Sequence, residues 1–175
     1  QLPGLVKNKA TPLILVCQAG MRSGRALGTA RKLGWNVDML GSSAAYTELI
    51  HKLGGPAMNG LYATHTTAQP YLDDASKAIS FWANKYKTKF NEDPTVFSAY
   101  GYIIIDMFIR GAQKAGPTLT TDTFVKAMDT LSVESDIFGS PPVTFSATKR
   151  LGSNWSRLSQ IQDGKWKPVS DYIKH

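Results

Sequence analysis

The sequence has one cysteine and no long uninterrupted apolar run, and each scarcity excludes a class of protein. Cys17 alone forms neither an intramolecular disulfide nor a CxxC metal site. A small buried apolar residue is its simplest interpretation, and a catalytic thiol is the alternative. The longest apolar stretch, residues 103–109, is interrupted by Asp106 and is far shorter than the roughly 20 residues of a membrane-spanning helix. We therefore expect a soluble chain that does not span a membrane, and the strand-loop-helix patterns described below place it in the α/β class.

The common fingerprints of cofactor binding and catalysis are also missing. GxGxxG, GxxxxGKS or GxxxxGKT, and GxSxG do not occur, which argues against dinucleotide binding, P-loop phosphoryl transfer and serine hydrolysis. His51, His65 and His175 do not stand at metal-ligand spacing from other ligand-type residues, so they are interpreted as surface residues. We expect no cofactor, no metal and no enzymatic activity.

The net charge of +7 does not by itself indicate a nucleic-acid partner. Lys and Arg are scattered along the chain, and the densest group is Lys85, Lys87 and Lys89. No Arg-rich run or RNA-binding aromatic motif accompanies them, so a solvated basic face is expected.

Two strand-loop-helix patterns occupy the first third of the chain. Strand 12–17 is followed by loop 18–23 and a helix, for which Ser23 is the predicted N-cap and Gly34 the stop. Strand 37–40 is followed by loop 41–45 and a helix over 46–53. In open α/β sheets, ligands bind at the carboxyl ends of strands, where such loops collect. The two loops are therefore candidate ligand-binding segments, with ordinary short connections as the alternative.

The sequence pattern changes twice in the rest of the chain, from strands to helices and back to strands. After a third strand, residues 73–131 have helical periodicity, with a first helix capped by Asp73 or Asp74, a second over 96–115 and a third from Thr120 or Thr121. Asp106 is expected at the polar rim or paired with a base. A short strand over 143–145 and a hairpin with arms 158–162 and 165–169, turning at Asp163 and Gly164, end the chain.

Several segments in this order resemble one family. Tyr102 with the following isoleucines, the Lys-Ala-Gly stop at 114–116, the helix over 121–131, and segments 139–145 and 160–166 are similar to the C-terminal half of type I periplasmic substrate-binding proteins of branched-chain amino acid ABC transporters. The resemblance implies a partial type I fold. Its parts are expected at 1–67 (β-α units), 68–138 (helices of the other lobe) and 139–175 (returning strand and hairpin).

The resemblance also implies a function. Such proteins bind a small ligand in a cleft between two lobes and deliver it to a membrane permease, and they reside in the periplasm after a signal peptide is removed. It further implies that an N-terminal half lies outside this chain, so that the helices within 73–131 lack their sheet.

The ligand contacts implied by the resemblance lie in three places: Gln18, Ala19 and Gly20; Ser42 and Ser43; and Tyr102 with Tyr100 as a substitute. Where the amino-acid binders often carry an acidic residue, this chain has Ser42 and Ser43. A small carboxylate, an amide or an aromatic acid is therefore at least as good an expectation as a branched-chain amino acid.

Two other functions stay open on the sequence. A ligand-sensing regulatory domain of the same fold would couple closure to a DNA-binding module rather than to a permease. A small α/β hydrolase or transferase would use Cys17 or Ser43 as its nucleophile.

Overall fold

A computed structural model describes residues 13–15, 21–35 and 38–175 of the chain. The predicted contacts Gln18, Ala19 and Gly20, and also Cys17, lie outside the described residues. The chain divides into two compact units. The sheet unit comprises residues 1–65 and 156–173, and the helical unit comprises residues 66–155 and 174–175. The predicted C-terminal segment 139–175 is thus shared between the two units.

Regular elements are present in both units. The α-helices of the described residues are α1 Met21–Lys32, α2 Glu48–Gly54, α3 Lys77–Phe90, α4 Val96–Ala115 and α5 Thr121–Met128. The strands are β1 Leu13–Leu15, β2 Met39–Gly41, β3 Leu61–His65, β4 Ser132–Val133, β5 Val143–Thr144, β6 Trp155–Gln162, β7 Lys165–Pro168 and β8 Ile173–Lys174. Short 3-10 helices lie at Ser43–Ala45 and Gly55–Met58.

The larger sheet joins parallel and antiparallel strands in the order β1-β2-β3-β6-β7, with β8 paired to β6. Strands β1, β2 and β3 are parallel, as the two strand-loop-helix patterns predict. Strand β6 runs antiparallel to β3, and β7 runs antiparallel to β6. The predicted α/β class, with a parallel sheet and a C-terminal hairpin, is confirmed.

The hairpin turns where the sequence places it. Asp163 and Gly164 have φ angles of 53° and 75°, the left-handed values that a two-residue type I′ turn requires. The Gly164 N–H donates to the side-chain oxygen of Asn59 at 3.1 Å. This bond ties the turn to the segment that precedes β3.

Two predicted helix starts in the sheet unit are wrong. Helix α1 begins at Met21, so Ser23 lies inside its first turn and is not the N-cap. Helix α2 begins at Glu48 rather than at Tyr46, because residues 43–45 form a separate 3-10 turn and Thr47 is the N-cap, whose Oγ1 accepts from the Leu49 N–H at 3.4 Å.

The helical unit follows the sequence more closely. Helix α4 occupies the predicted residues because Thr95 and Ser98 form a reciprocal capping box and Gly116, with φ of 81°, follows its last residue. Helix α5 begins at Thr121, one of the two predicted starts, with Thr120 as its N-cap, and it ends at Met128, before the predicted residue 131. The predicted cap of α3 is wrong: Ser76, not Asp73 or Asp74, is its N-cap.

Asp106 has the basic partner that the sequence suggests. Its carboxylate accepts from the Arg110 Nε–H at 2.7 Å, one helical turn along α4. The pair lies at the surface, and the bond gives the Asp106 carboxylate a partner within an otherwise apolar stretch.

The helical unit has a small core and a large uncovered apolar surface. Ile79, Ala99 and Phe138 are buried together. Strands β4 and β5 form an isolated antiparallel pair. Large side chains of α4 are nevertheless exposed to water, namely Phe97, Ile104, Ile105, Phe108 and Ile109. The sequence-based expectation of helices without a covering sheet agrees with this exposure.

Candidate functional site

The segment after β2 makes a tight turn that needs a glycine. Gly41 is the last residue of β2, and a Cβ atom added there would lie 2.5 Å from the Cβ of Ala45. The chain folds back at once, since the Ala45 N–H donates to the Ser42 carbonyl at 2.9 Å. Close packing therefore accounts for Gly41 and Ala45, but it does not require the two serines between them.

Ser42 and Ser43 are the polar side chains of this turn. Ser42 is half-buried and Ser43 is exposed. The Ser42 hydroxyl makes no capping hydrogen bond to the 3-10 helix that follows it. Each hydroxyl can donate one hydrogen bond and accept others, so the turn offers neutral groups that suit a carboxylate or an amide.

Tyr46 attaches the turn to the sheet. Its ring is buried and stacks on the imidazole of His65, with centroids 4.2 Å apart and planes at 9°. The indole of Trp166 lies on it at 5.2 Å. The Trp166 Nε1–H donates to the Thr47 carbonyl at 3.0 Å, so Trp166 contacts both the Tyr46 ring and the backbone of the next residue.

His65 is buried at the carboxyl end of β3, and its prediction as a surface residue is wrong. Its Nε2 lies 2.8 Å from the Oγ of Ser159 on β6, and both side chains are almost inaccessible to water. The burial pattern of β3 alternates, with Leu61, Ala63 and His65 on the buried face. The period-2 pattern of the sequence, continued by one residue, could have placed His65 there.

Four residues that shape this site were therefore not identified from the sequence: Tyr46, His65, Ser159 and Trp166. Their rings and hydroxyl form one buried cluster beneath the turn, which we call the aromatic clamp. The clamp anchors the turn at the carboxyl ends of β2 and β3, where Ser43 is exposed and Ser42 is half-buried.

His51 is the second histidine of the sheet unit. It lies on α2, and its side chain is half-buried rather than fully exposed. Burial lowers the pKa of its imidazole, and Lys52 lowers it further, while Glu48 acts in the opposite direction. His51 is thus held towards its neutral form.

The two predicted tyrosines belong to the helical unit and occupy different faces of α4. Tyr102 is partly exposed and contacts the rings of Trp82 and Phe138 edge-on, at 5.6 and 5.9 Å. Tyr100 is half-buried, and burial raises the pKa of its hydroxyl. Residues two apart on a helix are separated by about 200°, so the two rings do not meet.

Tyr102 lines an apolar groove between α3 and α4 with a volume of about 690 Å³. Trp82, Tyr86, Phe90 and Ile105 supply much of its wall, and Lys85 and Lys89 stand at its rim. The ring of Tyr102 is thus part of an aromatic surface, whereas Tyr100 does not line the groove.

The part of the chain that the structure describes contains neither a candidate metal site nor a candidate membrane-spanning helix. No group of three or more His, Cys, Asp or Glu side chains there could hold a metal ion. No helix among the described residues has both the length and the apolar character needed to cross a membrane.

A family model described as periplasmic binding protein matches residues 6–165 of this sequence. The chain belongs to the periplasmic binding protein family. The type I fold of this binding protein is also found in solved structures. A branched-chain amino acid ABC transporter protein from Thermus thermophilus, solved with bound valine, has a TM-score of 0.74 at 16% identity and covers 93% of the chain.

Two further solved structures have related folds. A fatty acid ABC transporter substrate-binding protein from Thermomonospora curvata has a TM-score of 0.77 at 19% identity and covers 99% of the chain. A solute-binding protein from R. palustris, in complex with benzoate, has a TM-score of 0.69 at 15% identity and also covers 99%. At these identities the similarity concerns the fold.

The binding protein described here spans about half the length of these structures, namely 46%, 45% and 46% of the three chains. A comparison with curated protein sequences finds no match. The predicted resemblance to one half of a type I binding protein of the branched-chain amino acid transporter group is confirmed.

Proposed function

We propose that this chain is part of the extracytoplasmic solute-binding component of an ABC importer, which binds a small ligand and delivers it to a permease. The proposed ligand is a branched-chain or related amino acid, an amide or an aromatic acid. Membership of the binding-protein family supports the role in binding. The related proteins with bound valine and bound benzoate motivate the range of ligands.

The observation that carries this proposal is the turn at the carboxyl end of β2, which the aromatic clamp anchors and which carries a half-buried Ser42 and an exposed Ser43. A parallel α/β sheet binds ligands at this edge. The aromatic clamp holds Tyr46, so the turn needs little ordering when a ligand arrives, and preorganisation of this kind raises affinity. Ser42 and Ser43 would donate to the carboxylate or amide oxygen of the ligand.

The other predicted contacts remain part of the proposal. Gln18, Ala19 and Gly20 would contribute small groups and an amide at the neighbouring strand end. Tyr102, with a partly exposed ring, would contact an apolar or aromatic part of the ligand, and Tyr100 is the substitute. The turn 41–45 contains no acidic residue, so an α-ammonium group would need its acceptor elsewhere.

A binding experiment on the full-length protein that contains this chain tests the proposal. Thermal unfolding is recorded with leucine, isoleucine, valine, their amides and benzoate, followed by calorimetry on each compound that raises Tm. Ser43→Ala should weaken binding of the active compound about 5- to 10-fold, the effect of one hydrogen bond of roughly 1 kcal/mol.

Ser135→Ala is the matched control, because Ser135 is an exposed serine of the helical unit. It should leave the affinity unchanged. If no compound of the panel raises Tm, or if the two serine variants bind equally well, the proposed function is wrong.

A further inference from the structure

A groove with a volume of about 450 Å³ lies between helices α1 and α2 of the sheet unit. Helix α1 supplies one wall with Arg25, Gly28 and Lys32, and α2 with the 3-10 turn after it supplies the other with Ile50, Leu53 and Met58. The lining lies towards the C-terminal ends of the two helices. A helix between parallel strands returns the chain to the start of the next strand. The groove is therefore separate from the turn 41–45, which lies at the carboxyl end of β2.

The floor of this groove is apolar, and its depth depends on glycine. Ile50 and Met58 are 3% and 1% exposed, whereas Leu53 is 70% exposed. A Cβ added at Gly54 would lie 2.4 Å from the Cγ of Met58, so the methionine fills the space that a side chain there would need. A Cβ added at Gly28 would lie 3.4 Å from the Cε of the same methionine. Because position 28 has no side chain, the groove stays open above Met58.

Arg31 holds α1 against the opposite wall without lining the groove itself. Its Nη1 donates to the Ala57 carbonyl at 2.8 Å and to the Asn59 carbonyl. Burial lowers the pKa of its guanidinium, and the charge of Asp38 acts in the opposite direction. The two walls are thus joined by hydrogen bonds within the protein, as in ligand pockets that are formed before the ligand binds.

Two cations of α1 lie beside the groove and have no acidic partner there. Arg25 and Lys32 are exposed, and their spacing of seven positions places them on one stripe of the helix. Neither forms an ion pair with another described residue. No acidic side chain lines the groove. Nearby, Asp38 acts on the guanidinium described above, and Glu48 bonds to the hydroxyl of the α2 N-cap. An apolar floor is therefore combined with an uncompensated positive wall.

We propose that this groove is a second binding site, which takes a small molecule with an apolar body and one carboxylate. The apolar body would cover Ile50 and Met58, and Arg25 or Lys32 would bind the carboxylate by a charge-assisted hydrogen bond. The volume lies within the range of small-molecule pockets, about 300–1,000 Å³. Two cations on an apolar floor do not form the row of phosphate contacts that a nucleic acid needs. The site is distinct from that of the proposed function and does not depend on the transported ligand.

Three probes that share one alkyl chain and differ in charge test the chemistry of the site. Calorimetry on the full-length protein that contains this chain compares octanoate, 1-octanol and octylammonium. Octanoate should bind, 1-octanol should bind about 5-fold more weakly because it lacks the charge, and octylammonium should not bind. The proposal is overturned if octanoate does not bind, or if 1-octanol or octylammonium binds equally well.

A larger side chain at position 28 tests the location of the site. Gly28→Leu should abolish octanoate binding because the leucine would occupy the groove. Its Tm should not fall, since leucine is favoured over glycine inside a helix. Gly101→Leu is the matched control in α4 and should keep the wild-type affinity. Gly101 lines the groove between α3 and α4, so a loss of octanoate binding in this control would place the site there and overturn the proposal.

The charged wall is tested at exposed positions, where a substitution does not disturb packing. Arg25→Gln combined with Lys32→Gln should weaken octanoate binding about 5-fold and should leave the binding of 1-octanol unchanged. Lys126→Gln, at an exposed lysine of α5, is the control and should have no effect. Equal octanoate affinity of the double variant and the wild type would overturn the role of the two cations.

Ser43→Ala separates this site from that of the proposed function. It should leave octanoate binding unchanged, and Gly28→Leu should leave unchanged the binding of any amino acid, amide or benzoate that raises Tm. If Ser43→Ala weakens octanoate binding as strongly as Gly28→Leu does, octanoate occupies the site at the β2 turn and the second site is wrong. If octanoate binds and Gly28→Leu abolishes its binding while no amino acid, amide or benzoate binds, the second site stands and the proposed function fails.

Discussion

The Nε2 atom of His65 and the Oγ atom of Ser159 lie 2.8 Å apart, although the residues are separated by 94 positions in the sequence. The bond connects β3, the last strand of the parallel run, to β6, which arrives from the other end of the chain. The stacked ring of Tyr46 rests on the same imidazole. This buried contact therefore joins the edge of the sheet to the turn above it.

Ser159→Ala tests the strength of this contact. The change removes a buried hydrogen bond without adding volume, so the free energy of unfolding should fall by about 1 kcal/mol. Urea unfolding of the wild type and the variant measures the difference. Ser135→Ala, at an exposed position, should change it by less than about 0.5 kcal/mol. Equal stability of the Ser159 variant and the wild type would contradict a structural role for the bond.

Gly41→Ala tests the close approach within the turn. The added methyl group would meet the Ala45 side chain at 2.5 Å, and overpacking of this kind costs about 1–3 kcal/mol. The second substitution Ala45→Gly removes the opposing methyl group and should restore part of the loss. Urea unfolding of both single variants and the double variant gives the coupling between the two sites. Additive losses would show that the clash is not the cause.

Helix α4 and the C-terminal hairpin are predicted well because their signals lie close together in the sequence. The helical pattern and the stop at Gly116 predict helix α4 at its observed bounds, and the structure adds Thr95 as its N-cap. The hairpin was predicted because the Asp163-Gly164 pair has few conformations other than a tight turn. The predicted cap is wrong where several polar residues compete, as at α3: Ser76 is the N-cap, and Asp74 instead accepts from the Ser76 N–H at 2.8 Å.

The clamp beneath the turn depends on partners that are far apart in sequence. The Trp166 indole donates to the Thr47 carbonyl although the two residues are 119 positions apart, and no local sequence pattern predicts such a bond. The absence of metal-ligand spacing around His65 predicts a surface residue, whereas its actual partner is a serine on a later strand. Ser42 and Ser43 lie in the loop after a predicted strand, the family resemblance implies that this loop contacts the ligand, and their role in ligand binding stays a prediction.

Gly101→Ala should stabilise the 175-residue chain. Gly101 lies inside α4 at an exposed position, and an added Cβ meets nothing within 4 Å. Alanine is favoured over glycine in a helix interior by about 0.5–1 kcal/mol, so the midpoint of urea unfolding should rise. Gly164→Ala is the opposite case, because its φ of 75° is strained for alanine and the variant should be less stable. A loss of stability in Gly101→Ala would mean that this part of α4 is not helical or not exposed.

His51 should make the stability of the chain depend on pH. Burial lowers the pKa of His51 in the folded chain below its ordinary value of 6.5, so the unfolded chain binds the proton more readily. As the pH falls below about 6.5, protonation therefore favours unfolding, and the effect levels off below the folded-state pKa. The free energy of unfolding of the wild type should decrease between about pH 7.5 and about pH 5.5 more than that of His51→Gln. His175→Gln, at an exposed terminal residue, is the control and should keep the wild-type dependence of the free energy of unfolding on pH. If His51→Gln also keeps the wild-type dependence, His51 titrates alike in the folded and unfolded chain.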